Sequence, residues 1–177
     1  ILGQSLKKVR AHRLIDSELL PVQRELDVFG FHLAKLDIRQ NSTFLETAFL
    51  QILGTSKQRE AEQFPQWSED EKLQFLNEEL ATVRPFTNRF TPLGTEATET
   101  LASLRVCLDE IRRHGRSGLG SLIVSMTRRL SDLLIVYVLC REAGLVITDR
   151  KHLVCLMPVV PLFETKADLV LGPEIIQ

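Results

Sequence analysis

The sequence contains no Cys-x-x-Cys pair, no clustering of Cys with His, and no excess of charge of either sign. Cys107, Cys140 and Cys155 are odd in number, widely spaced and set among apolar neighbours. That pattern excludes a structural zinc site and reads as buried, reduced thiols of a cytosolic protein. His12, His32, His114 and His152 are isolated as well, and His32 reads as a satisfied buried imidazole rather than a ligand. Basic and acidic residues number 22 and 23, for a net charge of −1. Such a balance gives no electrostatic case for nucleic acid or an anionic membrane as a partner. The apolar run Leu133–Cys140 is far too short to span a bilayer, and no secretory signal, internal repeat or low-complexity segment is visible in these residues.

What remains is ordinary globular composition, 44% hydrophobic and 25% charged over 177 residues, enough for one sizeable core. The start at Ile1 and the end at Ile175-Ile176-Gln177 read as those of a piece cut from something longer.

The stretch Phe29-Gly-Phe-His-Leu-Ala-Lys-Leu-Asp-Ile-Arg39-Gln-Asn41-Ser organises the rest. With a period of two, Phe29, Phe31, Leu33, Lys35, Asp37 and Arg39 share one face, and Gly30, His32, Ala34, Leu36 and Ile38 share the other. The second face stays largely apolar, while the first turns from Phe and Leu to charge. A strand apolar at its start and charged at its C-terminal end suits a (β/α) barrel, whose chemistry sits at the C-terminal mouth.

Around this strand the sequence predicts helices. Residues 6–26 are helical with a break near Asp16-Ser-Glu, and Leu19, Val22, Leu26 and Phe29 form a stripe. Ser42 or Thr43 caps a helix to about Ile52, and Thr55–Pro65 reads as a polar surface excursion. Ser68-Glu-Asp-Glu71 is a capping box for a helix that runs to about Val83 and buries Leu73, Leu76 and Leu80. A long helix from Thr95 carries Ala97, Leu101, Leu104, Leu108 and Ile111 on one side and ends at Gly115. Its Arg112-Arg113-His114 reads as a complement to the helix dipole. Gly120–Met126 is a second strand. Ser131-Asp132 caps a helix whose unbroken apolar run demands burial by the sheet and by a neighbouring layer, within this stretch or beyond it. Val154–Phe163 is a third strand, bulged or poorly paired at Pro158 and Pro161, before a terminal helix broken near Gly172-Pro173.

Three of these segments resemble one family in order and rough spacing. Phe29–Gln40 resembles the Asp-Ile-Arg-Gln segment of phosphoenolpyruvate carboxylases. Ser125-Met-Thr-Arg-Arg-Leu-Ser-Asp-Leu-Leu134 with Glu142-Ala-Gly144, and Val159-Val-Pro-Leu-Phe-Glu-Thr165, agree with the same family. The family's chain is far longer. The expected fold is therefore α/β: a partial (β/α)8 TIM-type barrel, helix-rich, with three parallel strands and long helical insertions. Residues 1–177 form a single piece of it, with 1–28 a helical lead-in and 29–177 barrel strands and helices.

Parallel strands open their C-terminal ends on one face, so Arg39 and Glu164 are expected to open onto the same rim. Spacing alone leaves Arg39 open between an anion contact and an ion pair with Asp37, and Glu164 open between a metal ligand and a helix N-terminal charge. The resemblance implies that Arg39 is the catalytic, substrate-binding arginine, that Asp37 supports it, and that Glu164 binds the metal, Mg2+ or Mn2+. It further implies phosphoenolpyruvate and bicarbonate as substrates, carboxyphosphate and carbon dioxide on the way to oxaloacetate and phosphate, a cytoplasmic location and a homotetrameric parent. The family's second metal carboxylate motif, of Gly-Tyr-Ser-Asp-Ser type, does not occur here, nor do its catalytic histidine region, glycine-rich arginine loop or effector site. Asn41 stands where an acidic residue is usual. A catalytically silent carboxylase-like scaffold, or another barrel lyase acting on phosphoenolpyruvate or pyruvate, are the alternative readings.

Overall fold

A computed structural model of the chain describes residues 1–32, 34–88, 90–149 and 152–176. The chain divides into two compact units, residues 1–35 and 36–177.

The first unit is helical: α1 (Leu2–Lys8), the single turn α2 (His12–Leu14), a π-helical turn Ile15–Leu19 and α3 (Leu20–Phe29). Its break lies at Val9–Ala11, where Arg10 has φ 57°, and the Asp16-Ser-Glu segment continues the helix as a widened turn. Pro21, in the first turn of α3, has no N–H to give to the turn before it, and the helix is widened there. Phe29 is the last residue of α3 and not the start of a strand, because Gly30 takes φ 58° and closes the helix with its N–H on the Leu26 carbonyl. The stripe that ends on Phe29 wins over the short alternation that begins there. Val22, Leu26, Phe29 and Phe31 are exposed in this unit. His32 is half-buried in the turn that follows, not a strand residue, and Leu33, expected on the strand's charged face, lies outside the described residues.

The second unit is α/β and helix-rich, built on a three-stranded parallel sheet in the order β1 (Leu36–Asn41), β2 (Leu119–Ser125), β5 (Val159–Pro161). The first strand thus starts seven residues later than its apolar pattern suggests, where β2 supplies partners (36 minus 29). Between β1 and β2 run α4 (Ser42–Leu53), α5 (Gln58–Gln63), a 3-10 turn Phe64–Gln66, α6 (Glu69–Leu80) and α7 (Thr95–His114). The Thr55–Pro65 excursion is therefore partly helical, and it delivers Phe64 fully buried against Phe49, Trp67 and Phe75.

After β2 comes α8 (Leu130–Ala143), ended by Gly144 at φ 85°. Its apolar run is covered from within the unit: α8 packs on α4, α6 and α7, and Ile135, Val136, Val138, Leu139 and Cys140 are buried. The core joins these to Leu45, Phe49 and Ile52 of α4, Leu101 and Leu104 of α7, and Leu122 and Val124 of β2. Of the predicted α6 stripe only Leu76 is fully buried, and the helix stops at Leu80 rather than Val83.

The third predicted strand divides. Val154–Cys155 belongs to β4 (His152–Cys155), which pairs antiparallel with β3 (Val146–Asp149), and only Val159–Pro161 joins the parallel sheet. Pro158 lacks an N–H, so the chain leaves the hairpin there, and its carbonyl accepts from Leu122 N at 2.8 Å as the new ladder begins. Pro161 is tolerated because β5 is an edge of this sheet. The terminal helix α9 (Lys166–Ile176) continues through Gly172 with Pro173 inside it, without the expected break.

Candidate functional site

The C-terminal ends of β1, β2 and β5 lie side by side, with Asn41 opposite Ser125 and Val124 opposite Pro161. Each end is fastened by short-range chemistry. Asn41, not Ser42, caps α4: its Oδ1 accepts from Phe44 N at 2.8 Å, which frees the buried Ser42 hydroxyl to donate to the Met126 carbonyl at 2.8 Å. Met126 has φ 59°, uncommon for a residue with a side chain, and Thr127 Oγ1 donates back to the Val124 carbonyl at 2.8 Å. Nothing in Ser-Met-Thr signals a left-handed residue, so this turn escapes sequence reading.

Arg129 is the N-cap residue of α8, and Asp132 Oδ2 accepts from the Arg128 and Arg129 N–H groups at 2.8 and 3.2 Å. Burial pushes the Asp132 carboxyl upward, its two backbone hydrogen bonds oppose this, and the nearby Glu46 and Glu69 push it up further. Ser131 caps nothing in its own helix and binds Glu69 instead, at 2.9 and 2.8 Å. At the end of β5, Thr165 and Asp168 satisfy one another's backbone N–H groups, and these hydrogen bonds hold the Asp168 carboxyl below its ordinary value.

On this rim Arg39 and Glu164 meet across 125 positions, with Nη2 3.2 Å from Oε1 and 3.1 Å from Oε2. Both are about half exposed, at 55% and 47% for their side chains. Asp37 is engaged elsewhere: its Oδ1 accepts from Ser121 N at 2.7 Å. The register steps from Leu36↔Leu119 to Ile38↔Leu122, so β2 carries one extra residue, and Asp37 satisfies the N–H that this bulge leaves without a ladder partner.

Glu164 offers two hard oxygens on an accessible rim, the donor type that magnesium or manganese takes. Among the described residues no group of three or more His, Cys, Asp or Glu comes together. The described residues therefore assemble no metal site of their own. Magnesium takes one or two carboxylates and completes its shell with water and substrate oxygens.

Two buried features follow from neither helical periodicity nor end chemistry. Arg141 and Glu142 are 1% and 0% exposed and paired at 3.2 Å. Glu142 also accepts from Phe86 N, Thr87 N and the Thr87 hydroxyl at 2.9–3.0 Å, pinning the connection before α7 to α8. Arg141 stacks over Phe86, 4.8 Å from its centroid. The three cysteines are free, with Cys107 and Cys140 buried and Cys155 half-buried, a correction to the expectation that all three are buried. Cys140 and Cys155, widely spaced in the chain, come close enough for the Cys140 thiol to lower the pKa of Cys155. No helix among the described residues is long and apolar enough to cross a membrane.

A family model described as phosphoenolpyruvate carboxylase matches residues 1–177. The chain is 36% identical over 165 residues to a phosphoenolpyruvate carboxylase of Rhodopseudomonas palustris, covering 93% of this chain and 17% of that protein. It is 34% identical over 171 residues to the enzyme of that name from Mycobacterium avium, covering 95% and 18%. With that of Aromatoleum aromaticum it shares 34% over 175 residues, covering 99% and 19%. The chain thus spans 17–19% of the length of these relatives.

Proposed function

The chain belongs to the phosphoenolpyruvate carboxylase family, and on that premise we propose that it is an internal piece of such a lyase, contributing part of a (β/α)8 barrel and one side of its active-site mouth. Residues 1–28 are its helical lead-in and the remainder its strands and helices. The proposed reaction joins bicarbonate to phosphoenolpyruvate and yields oxaloacetate and phosphate in a cytoplasmic, homo-oligomeric enzyme. One observation carries this reading: an arginine and a glutamate from distant parts of the chain converge on the C-terminal rim of a parallel sheet, 3.1 Å apart.

In this reading Arg39 holds the substrate's phosphate through its planar fork of donors. Glu164 presents its carboxylate to Mg2+ or Mn2+, and the ion supplies Lewis-acid stabilisation of the charge that develops on the enolate oxygen. Asp37 supports Arg39 indirectly, by holding the bulge beside it on β1 and β2.

The test is made in the full-length protein. Arg39→Ala should chiefly weaken phosphoenolpyruvate binding, since a charge-assisted contact is worth roughly 1.5–3 kcal/mol. Glu164→Gln should raise the metal requirement and lower the maximal rate. A well-folded Glu164→Gln protein with unchanged metal dependence and rate would reduce Glu164 to a helix-start charge and sink the assignment.

A further inference from the structure

We propose that Cys140 and Cys155 form a peroxide-sensitive dithiol site, in which Cys155 takes up oxygen and Cys140 closes a disulfide onto it. Neither Arg39 nor Glu164 has a part in it.

The fold brings the two cysteines together through one residue. Cys140 lies in the last turn of α8, fully buried, and Cys155 ends β4, half-buried. Leu145 donates its N–H to the Cys140 carbonyl at 2.8 Å, and its own carbonyl accepts from Leu156 N at 2.8 Å. Val146, the next residue, stands opposite Cys155 in the hairpin. Gly144, at φ 85°, thus turns β3 and β4 back onto the end of the helix. The thiols are near enough for each to shift the other's ionisation, and both bear on the Tyr137 phenol, one turn earlier on α8.

Their surroundings divide the roles. The Cys140 thiol, the Met157 N–H and the charge of Arg116 lower the pKa of Cys155 to about 7, against burial. Near neutral pH much of Cys155 is therefore thiolate, the form that attacks peroxide. Its Sγ takes one oxygen, the O–O bond breaks, and the departing hydroxide gains a proton to become water. Cys155 is left as a sulfenic acid. Cys140 is held protonated, first by its hydrogen bond with Cys155 and then by burial. Once Cys155 is a neutral sulfenic acid, its charge no longer opposes ionisation of Cys140. Cys140 Sγ then attacks the sulfenic sulfur, the S–O bond breaks, and hydroxide leaves with the Cys140 proton as a second water. Two electrons pass from the sulfur pair to the peroxide. Cys107 stands apart in α7, where its thiol donates to the Ser103 carbonyl at 3.3 Å.

The experiment treats the full-length protein with hydrogen peroxide at pH 7, blocks the remaining thiols with iodoacetamide, and digests with trypsin without reductant. Mass spectrometry should find residues 130–141 linked to residues 152–166, and dithiothreitol should part them. Cys155 should lose its free thiol about ten-fold faster than Cys107, because an ordinary thiol is only a few per cent thiolate at that pH. In Cys140→Ser, dimedone should trap the sulfenic acid on Cys155. Wild-type protein that gains dimedone on Cys155 but no linked peptide overturns the proposal. So does a link from Cys107 to either cysteine, or equal loss of all three thiols. Protein unfolded in urea should lose the selectivity; a Cys140–Cys155 link that forms there as fast as in the native protein also overturns it.

Discussion

The carboxylate of Asp37 fills the space that a side chain at Gly120 would need. An ideal Cβ built on Gly120 collides with Asp37 Oδ1, the same atom that accepts from Ser121 N. Gly120→Ala should therefore push Asp37 off the bulge and cost roughly 1–3 kcal/mol, as overpacking does. Asp37→Ala alone should cost about 0.5–1.5 kcal/mol for the lost hydrogen bond. The double variant should cost less than the sum, because the small side chain removes the collision. Urea titration of the four proteins checks this, and strict additivity would contradict it.

Glu142 should be among the most sensitive positions for stability. Its removal leaves Arg141 buried with one carboxylate partner fewer and unties Phe86 and Thr87 from α8. Glu142→Ala should destabilise by at most about 3–5 kcal/mol, the range for breaking a buried pair, lessened by the Glu79 carboxylate that stays 3.9 Å from Arg141. Glu142→Gln, which keeps an acceptor, should cost less. Chemical denaturation followed by circular dichroism measures both.

Asp132 supplies a pH dependence with a definite sign. Its folded-state pKa is raised, first by burial and then by Glu46 and Glu69, against its two backbone hydrogen bonds. A raised folded value means that the contribution is fully present below the unfolded pKa, about 3.9, and is lost as pH rises through the folded one. Asp132→Asn removes that loss while keeping an acceptor. The melting-temperature difference between Asp132→Asn and wild type should therefore move in the variant's favour from about pH 4 upward. A difference that stays flat over that range would refute the assignment.

Cys155 should be the first thiol to react. The hydrogen bond from Cys140 lowers its pKa despite opposing burial, helped by the Met157 N–H and the charge of Arg116. Cys140 is raised well above the ordinary value by that same hydrogen bond and by burial, and burial raises Cys107. Iodoacetamide should label Cys155 ahead of the other two, with its rate rising below the pH of about 8.5 at which a free thiol ionises. Cys140→Ala should move that profile to higher pH. Peptide mass spectrometry of the labelled protein reads the order.

Under the proposed function, residues 1–177 alone should show no carboxylase turnover, because the chain spans only 17–19% of the length of its relatives. Oxaloacetate formed above a no-protein control, in a coupled assay, would contradict this.

The sequence by itself determined what depends on neighbours a few positions away. The capping box at Ser68 and Glu71, the helix Thr95–His114 with its buried Ala97, Leu101, Leu104 and Leu108, and the stop at Gly144 all follow from local periodicity and end chemistry. The family motifs were legible for the same reason, as short runs around Arg39 and Glu164. Tertiary structure alone decided where strands begin and end, since a strand exists only where a partner offers hydrogen bonds. Phe29 went to a helix and Val154 to an antiparallel hairpin although both sit in apolar runs. It also decided the partners of charge. Asp37 took the N–H exposed by a bulge on β2, and Arg39 turned to Glu164, because a charged group binds what the fold brings within about 3 Å, whatever its distance along the chain.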